Sequence, residues 1–415
     1  MSGDRSRPPA RHSAHSWPWK QPGDVRRIAV VRPGQLGDLL LAIPGLRALR
    51  EGFPNAEIDL IAQPWAADFA RRFPCIDRVL VLQDAPPETP SPCGRRNATA
   101  HYDLALQIQG DDPSAARLAL ALGSRATVGF CRDERIGSAF HLLLPMLRDE
   151  PEVFRVMRLV RALGVPAVGT RLEFPLLPED EEALGAVPGL RPLLERRPLI
   201  AIHPGARAPA RRWPVQRFAE LAHLLHRRRG ATLLLVGSAA EEPLAQDAKQ
   251  RSGVPAFDLA GRLSLGGLAA LLRRVDLFLG NDSGPAQLAA AVASRSLRVF
   301  GPANRHRWAP LDRANHRIVF QEVGCSPCDH WDCPTDHRCL QRVSVGQVLR
   351  EAELLLRQAT ASPSSRPSAA SQGRQRSWPR RRPAPPWRRP IVGSSDPILS
   401  SQEDIEPCPH RQHQE

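Results

Sequence analysis

The sequence predicts an α/β protein of two consecutive domains, each built on a parallel sheet, facing one another across a cleft. Three observations carry this. Short β-branched runs alternate with stretches of helical period. The alternation weakens once, over residues 171–198, and then restarts. Several strands end in glycine-rich or small polar loops, the edge of a parallel sheet where ligands bind.

The first strand is Ile28–Arg32 (IAVVR), bounded by Pro33-Gly34. A helix follows from the Gly34–Asp38 loop to about Gly52, with Pro44 expected to kink it or restrict its first turns. Glu57–Gln63, Arg78–Leu82 and Tyr102–Gln107 are the next strands. The segment 171–198 is rich in Pro, Leu and Glu and reads as a linker with a short helix. Beyond it Leu199–His203 is a strand, and Pro214–Arg229 is a helix with Phe218, Leu221 and Leu225 along one face. Thr232–Val236, Asp276–Leu279 and Leu297–Phe300 complete the strands, with helices at Leu265–Arg274 and Pro285–Ala293. The expected divisions are a basic tail over 1–26, a first domain over 27–170, the linker, a second domain over 199–358 and a Pro/Ser/Arg-rich tail over 359–415.

Charge and composition narrow the function classes. Of the formal +14, residues 1–27 and 360–415 carry +4 each, leaving a modest +6 on the rest. That distribution gives no support for nucleic-acid binding, although Arg380–Pro390 (RRRPAPPWRRP) suits an anionic membrane or nucleic acid as well as a solubilising tail. No apolar run reaches the roughly 18 residues of a membrane span. The N-terminus lacks the apolar core of a signal peptide, so a cytoplasmic location is expected. Of the eight Cys, four lie between Cys325 and Cys339, a crowding unlike an extracellular disulfide framework.

Three loops carry the chemistry. In Gly34–Asp38 the glycines permit a tight turn, and Asp38 stands at a helix start where the macrodipole keeps it ionised and able to accept a proton. A plain helix cap is the competing role at that position. Asn281–Pro285 follows a buried strand and opens an Ala-rich helix, so free N–H groups and the Ser283 hydroxyl suit a phosphate; an ordinary capped helix start is the alternative. His203–Arg207 and Arg211–Pro214 add arginines at a strand end, suited to a diphosphate or simply to a solvated basic loop. No G-x-G-x-x-G, Walker sequence or Asp-x-Asp pair occurs. Arginines and helix dipoles would therefore hold any diphosphate.

Five stretches in order resemble glycosyltransferase family 9, the ADP-heptose:lipopolysaccharide heptosyltransferases. They are RPGQLGDLLLAIPGLRALREGFPNAEI, YDLALQIQG, IAIHPGARAPARRWPVQRFAELAHLL, DLAGRLSLGGLAALLRRVDLFLGNDSGPAQLAAAV and VFGPANRHRWAPL. The resemblance spans about residues 28–355 and implies a GT-B fold of two facing Rossmann-like domains with parallel sheets. The first would hold the acceptor and the second the nucleotide sugar. It implies an inverting, metal-independent transfer with Asp38 as base and no cofactor. Donor contacts are expected at Gly205, Arg207, Arg211, Gly237, Asp282, Ser283, Gly284 and Gln287, and acceptor contacts at Gly37, Gln109 and Arg132. Arg211 stands where many members have Lys, Gln287 where His is usual, and Gln107 where Asp is usual.

The implied partners are a nucleotide sugar, ADP-heptose by family, and a lipid-linked or oligosaccharide acceptor, with peripheral contact at the inner membrane face and no nucleic acid. Cys325, Cys328, Cys333 and Cys339 resemble a cluster at the C-terminal end of many members, able to hold a structural zinc, to form a redox pair or to pack as thiols. Three other classes stay open at the level of sequence: a nucleotide-sugar epimerase, a degenerate sugar-nucleotide binder kept alive by Gln287, and a nucleic-acid binder acting through the tails.

Overall fold

The computed structural model describes residues 17–82, 101–166, 169–328 and 330–361. The expected tails fall outside them at 1–16 and 362–415, including Arg380–Pro390, as does Cys93. Six strands form the first sheet: β1 (Arg27–Val31), β2 (Glu57–Ala62), β3 (Arg78–Val81), β4 (Leu104–Gln107), β5 (Ala126–Gly129) and β6 (Leu142–Leu143). Six more form the second: β7 (Leu199–His203), β8 (Thr232–Leu235), β9 (Ala256–Asp258), β10 (Leu277–Asn281), β11 (Ser296–Val299) and β12 (His316–Val319). Every pairing is parallel.

The two sheets share one topology. Their orders are β3-β2-β1-β4-β5-β6 and β12-β11-β10-β7-β8-β9, so the order reverses at β1/β4 in one and β7/β10 in the other. Such switch points open a crevice at the carboxyl ends of the strands. Val31 pairs with Gln107, and His203 with Gly280, so the loops leaving these strands are neighbours. β1, β7 and β10 are apolar and almost wholly buried, as strands covered on both faces must be. They are the rigid base from which the loops project.

Three expectations need adjustment. The second sheet does not close at Leu297–Phe300. β12, sequence HRIV, pairs beyond β11 as an edge strand, and its polar residues hide its period. The N-terminal tail ends earlier than residue 26: Trp17 and Trp19 stack at 5.0 Å and Val25 is buried. At the other end a helix runs over Val345–Ala361, past residue 358, and its Val348 and Leu355 join the core of the second sheet. Pro44 is buried inside helix Leu36–Gly52, which continues through it.

The linker is firmly held. Its helix, Pro178–Gly185, begins with Asp180 accepting the Leu177 N–H at 2.8 Å. The same buried carboxylate takes Arg72 Nη2 at 2.9 Å, and Arg72 also lies over the Phe174 ring. Gly266 of helix Leu265–Arg274 lies against Asp180, with no room for a Cβ. Arg72 and helix Leu265–Arg274, one from each half, thus meet on one linker carboxylate.

Helix Leu36–Gly52 reaches its neighbour, Glu152–Ala162, through a glycine. A Cβ on Gly45 would lie 2.5 Å from Val156 Cγ1 and 3.3 Å from its Cβ. Ala is favoured over Gly inside a helix by about 1 kcal/mol. A clash with a stiff, β-branched neighbour in a packed interior costs about 1–3 kcal/mol. The clash should win: Gly45→Ala is expected to lower the urea midpoint, and an unchanged or raised midpoint would show that parting the helices costs no more than the alanine gains.

Candidate functional site

The Gly34–Asp38 loop folds back on itself. A Cβ on Gly34 would sit 2.7 Å from Asp38 Cβ, so only glycine admits the turn. Asp38 is the third residue of its helix, and its Oδ2 accepts the Gln35 N–H at 2.7 Å. It is a cap, then, but with one oxygen only. Oδ1 lies 3.5 Å from Arg32 Nη2, and the carboxylate keeps 18% exposure. Arg32 itself is fully buried at the end of β1 and donates to the carbonyls of Ile108 and, at 3.2 Å, of Asp38. Its guanidinium is held by Glu152 Oε1 at 2.8 Å.

Across the cleft, β10 ends in buried Asn281. Its Oδ1 accepts the Trp213 N–H at 2.9 Å, and its Nδ2 donates to the carbonyls of Pro204 at 2.9 Å and Gly205 at 3.0 Å. One amide thereby fastens the His203–Trp213 segment to the Asn281–Gly284 loop. Asp282 follows, with Arg211 Nη1 3.7 Å away. Burial pushes its carboxyl above the ordinary range, Arg211 and Arg298 oppose that, and Asp38 adds to it. Asp38 and Asp282 are therefore within electrostatic reach of each other.

Ser283 precedes helix Gly284–Ala291 but does not cap it with its side chain. Its Oγ meets His203 Nδ1 at 3.3 Å, and His203 Nε2 meets Glu241 Oε2 at 3.2 Å. Burial works against a charged Glu241, yet His203 and both donors of Ser238 bring it down to about 2. Gly205 and Gly237 make room for this carboxylate: a Cβ on Gly237 would lie 3.2 Å from Glu241 Cβ, and one on Gly205 would overlap its carboxyl group.

The other expected donor contacts are distributed as follows. Arg207 lies over the ring of Trp331, 5.6 Å from its centroid, and Trp331 accepts the Ala210 N–H at 3.0 Å. Gln287 is buried and donates to the Trp308 carbonyl at 2.9 Å, while a Cβ on Gly37 would come 3.4 Å from its Cγ. It packs at the junction of the two helices. Of the expected acceptor contacts, Gln109 is half-buried beside Gly110, whose φ of +88° suits glycine. Arg132 is exposed, with its Nε 3.3 Å from Asp111 Oδ2.

Sequence reasoning placed His203 and Asn281 in its chemistry-bearing loops without giving either a role, and overlooked Arg32, Glu152, Glu241 and Arg307. His203 and Asn281 both end a buried strand at a switch point, which is the local sign they share. Arg307, in a short helix after β11, donates from Nε to Glu152 Oε2 at 2.8 Å. A cavity of about 530 Å³ opens nearby between Arg148–Asp149 and a wall that includes Phe300, Asn304 and His306. Burial lifts the Cys339 thiol to about 11, and the neighbouring Cys325, Cys328 and Cys333 add to the effect. Among the described residues no group of His, Cys, Asp or Glu is arranged to hold a metal ion, and no helix is long and apolar enough to cross a membrane.

Comparisons with known proteins bear on the whole assembly. The model of glycosyltransferase family 9 (heptosyltransferase) matches residues 94–338. Lipooligosaccharide heptosyltransferase 2 of Campylobacter jejuni is 22% identical over 336 residues, covering 79% of this chain and 99% of the relative. Two solved structures share the fold: a family 9 glycosyltransferase from Veillonella parvula (TM-score 0.68, 20% identity, 80% of this chain and 97% of that one) and the ADP-heptose lipopolysaccharide heptosyltransferase II of Escherichia coli (TM-score 0.63, 22% identity, 80% and 99%). The architecture is GT-B.

The buried carboxylates have a consequence for acid stability. Burial opposes the charge of Glu152, but Arg32, Arg307 and Arg155 bring it down from 4.5 to about 2. A group whose folded value is depressed contributes stability above its unfolded value and loses it as pH falls through the folded one. Glu152 should supply about 3 kcal/mol that disappears between pH 4.5 and 2. Urea unfolding across that window is expected to steepen with acid, and Glu152→Gln to flatten the dependence; an unchanged slope in the variant would contradict the assignment.

Proposed function

The chain belongs to glycosyltransferase family 9, the heptosyltransferases, and from that premise we propose that it moves a heptose from an ADP-activated donor to a lipopolysaccharide-core-like or other envelope glycan. The transfer is an inverting, metal-independent displacement. The observation that carries the reading is the opposition of Asp38, at one helix N-terminus, to the Asp282–Gly284 loop, at another. A proton acceptor and an anion-binding helix start meet across one cleft.

The acceptor hydroxyl attacks the anomeric carbon and gives its proton to Asp38 Oδ1, the oxygen that does not cap the helix. The bond from that carbon to the diphosphate oxygen breaks, and the electron pair leaves with ADP. Charge gathering on the diphosphate is met by the N–H groups of helix Gly284–Ala291, by the Ser283 hydroxyl and by Arg211 and Arg207. Fixed dipoles and guanidinium forks supply the stabilisation that a metal gives elsewhere. Asp282 steadies Arg211, and Gln287 keeps the donor helix seated on Gly37. Gln109 and Arg132 meet the acceptor from the loops after β4 and β5. A lipid-linked acceptor brings the protein to the inner face of the membrane.

The E. coli protein of the same fold is described as an ADP-heptose enzyme, which favours that donor. Family membership sets aside the epimerase reading. Purified protein with ADP-heptose and a heptose-deficient acceptor should release ADP at a rate indifferent to EDTA. Asp38→Ala should cut that rate by about 10²–10⁴-fold, the contribution of a positioned base, while donor binding by calorimetry survives. A fully active Asp38→Ala would remove the base, and inactivation by EDTA would remove metal independence.

A further inference from the structure

We propose that Glu152 is a positioning residue of the transfer reaction, a buried carboxylate that sets Arg32 against Asp38 and Arg307 against the acceptor-side loop. The inference rests on the reading of Asp38 as the base. Glu152 opens helix Glu152–Ala162 and is wholly buried. Its Oε1 accepts Arg32 Nη2 at 2.8 Å; its Oε2 accepts Arg155 Nη1 and Arg307 Nε, both at 2.8 Å. Arg32 and Arg155 belong to the first half and Arg307 to the second, so one carboxyl group gathers cations from both.

Packing alone would not call for this arrangement. Taking charges out of water costs several kcal/mol per ion, and apolar residues of similar volume often serve stability as well. The site instead divides one guanidinium between two carboxylates, unequally. The Arg32 Nη2 that lies 2.8 Å from Glu152 is 3.5 Å from Asp38 Oδ1. The charge of Arg32 is thus answered chiefly by Glu152, and Asp38 Oδ1 has only the longer contact with it. When Asp38 becomes neutral on taking the acceptor's proton, Arg32 does not lose its counter-ion. With Glu152 uncharged, Arg32 would close onto Asp38 as its only carboxylate partner, draw in Oδ1 and weaken the base.

Glu152 acts on the acceptor side as well. Arg307, held through Nε, brings Nη2 to 3.4 Å from where a Cβ on Gly110 would stand, so it lies along the loop that follows β4. Asn304, three residues before it, donates to the Arg148 carbonyl at 3.1 Å and to Asp149 Oδ1 at 3.0 Å. The turn before Glu152 and the turn before Arg307 are therefore fastened together. Arg155 also donates from Nη2 to the Leu147 carbonyl at 3.0 Å, and its Nη1 lies farther than Arg307 from the Gly110 Cβ position, at 3.9 Å.

The test is steady-state kinetics on the full chain, with ADP-heptose and a heptose-deficient lipid acceptor, for wild type, Glu152→Gln, Glu152→Asp and Glu152→Gln/Arg155→Gln. Glu152→Gln is expected to lose kcat by on the order of 10²-fold, with the KM for donor unchanged and with Glu152→Asp recovering most of the loss. The double variant also removes one surplus buried cation, so it keeps the test open should the single variant fail to fold, and its kcat should stay low because Arg32 still lacks its partner. Wild-type kcat in either folded Gln variant would overturn the assignment, as would a loss expressed only in the donor KM. Absence of turnover by the wild type would overturn the underlying reading and this one with it, an outcome distinct from an active wild type with an equally active variant.

Discussion

Everything at the site depends on how closely two helix N-termini approach. Gly37 and Gly284 lack side chains where helix Leu36–Gly52 meets helix Gly284–Ala291. A Cβ on Gly284 would stand 3.2 Å from Leu36 Cβ, and one on Gly37 would stand 3.4 Å from Gln287 Cγ. Each helix begins at the switch point of its own sheet, so their contact brings the two crevices onto each other. A proton acceptor carried by one sheet can then serve an anion held by the other. Bulk at Gly284 would press on Leu36 and part the two helices, whereas a Cβ on Gly37 would make only ordinary contact with Gln287.

The approach has an electrostatic cost, since it turns two carboxylates toward one another. Asp38 raises the proton affinity of Asp282, and burial raises it further. Arginines offset this on both sides: Arg32 beside Asp38, Arg211 and Arg298 beside Asp282. Arg298 is itself fully buried and fixed to the Ala286 carbonyl at 2.6 Å, behind the start of helix Gly284–Ala291. The cleft is thus built from permanently charged guanidinium groups and backbone dipoles. Both are suited to a leaving diphosphate, because neither must reorganise as charge develops.

How much of this was legible in the sequence follows from the range of the interactions. The Gly34–Asp38 and Asn281–Pro285 loops were readable because each follows an apolar strand and opens a helix, all within a few residues. The repeated α/β alternation gave the two sheets. β12 escaped notice because an edge strand needs only one paired side and its polar residues blur the period. Glu152 and Arg307 escaped for a different reason: their partners lie 120 and 155 residues away, and no local pattern marks a carboxylate that will be buried among arginines. Gln287 sits where a donor contact was expected, and its amide is engaged with the Trp308 carbonyl. Asp38 was readable as a cap and as a base; the fold assigns one oxygen to the cap and leaves the other facing Arg32.

The proposed reaction is a single displacement, with one carboxylate taking a proton while the diphosphate departs from the opposite side. The anomeric configuration of the newly formed linkage tests it most directly. Proton and carbon NMR of the product, made from a donor of known anomeric configuration before any second turnover, should show inversion at the transferred carbon. Retention would require an intermediate on the enzyme or attack from the side of the leaving group, and would contradict an Asp38-based single step.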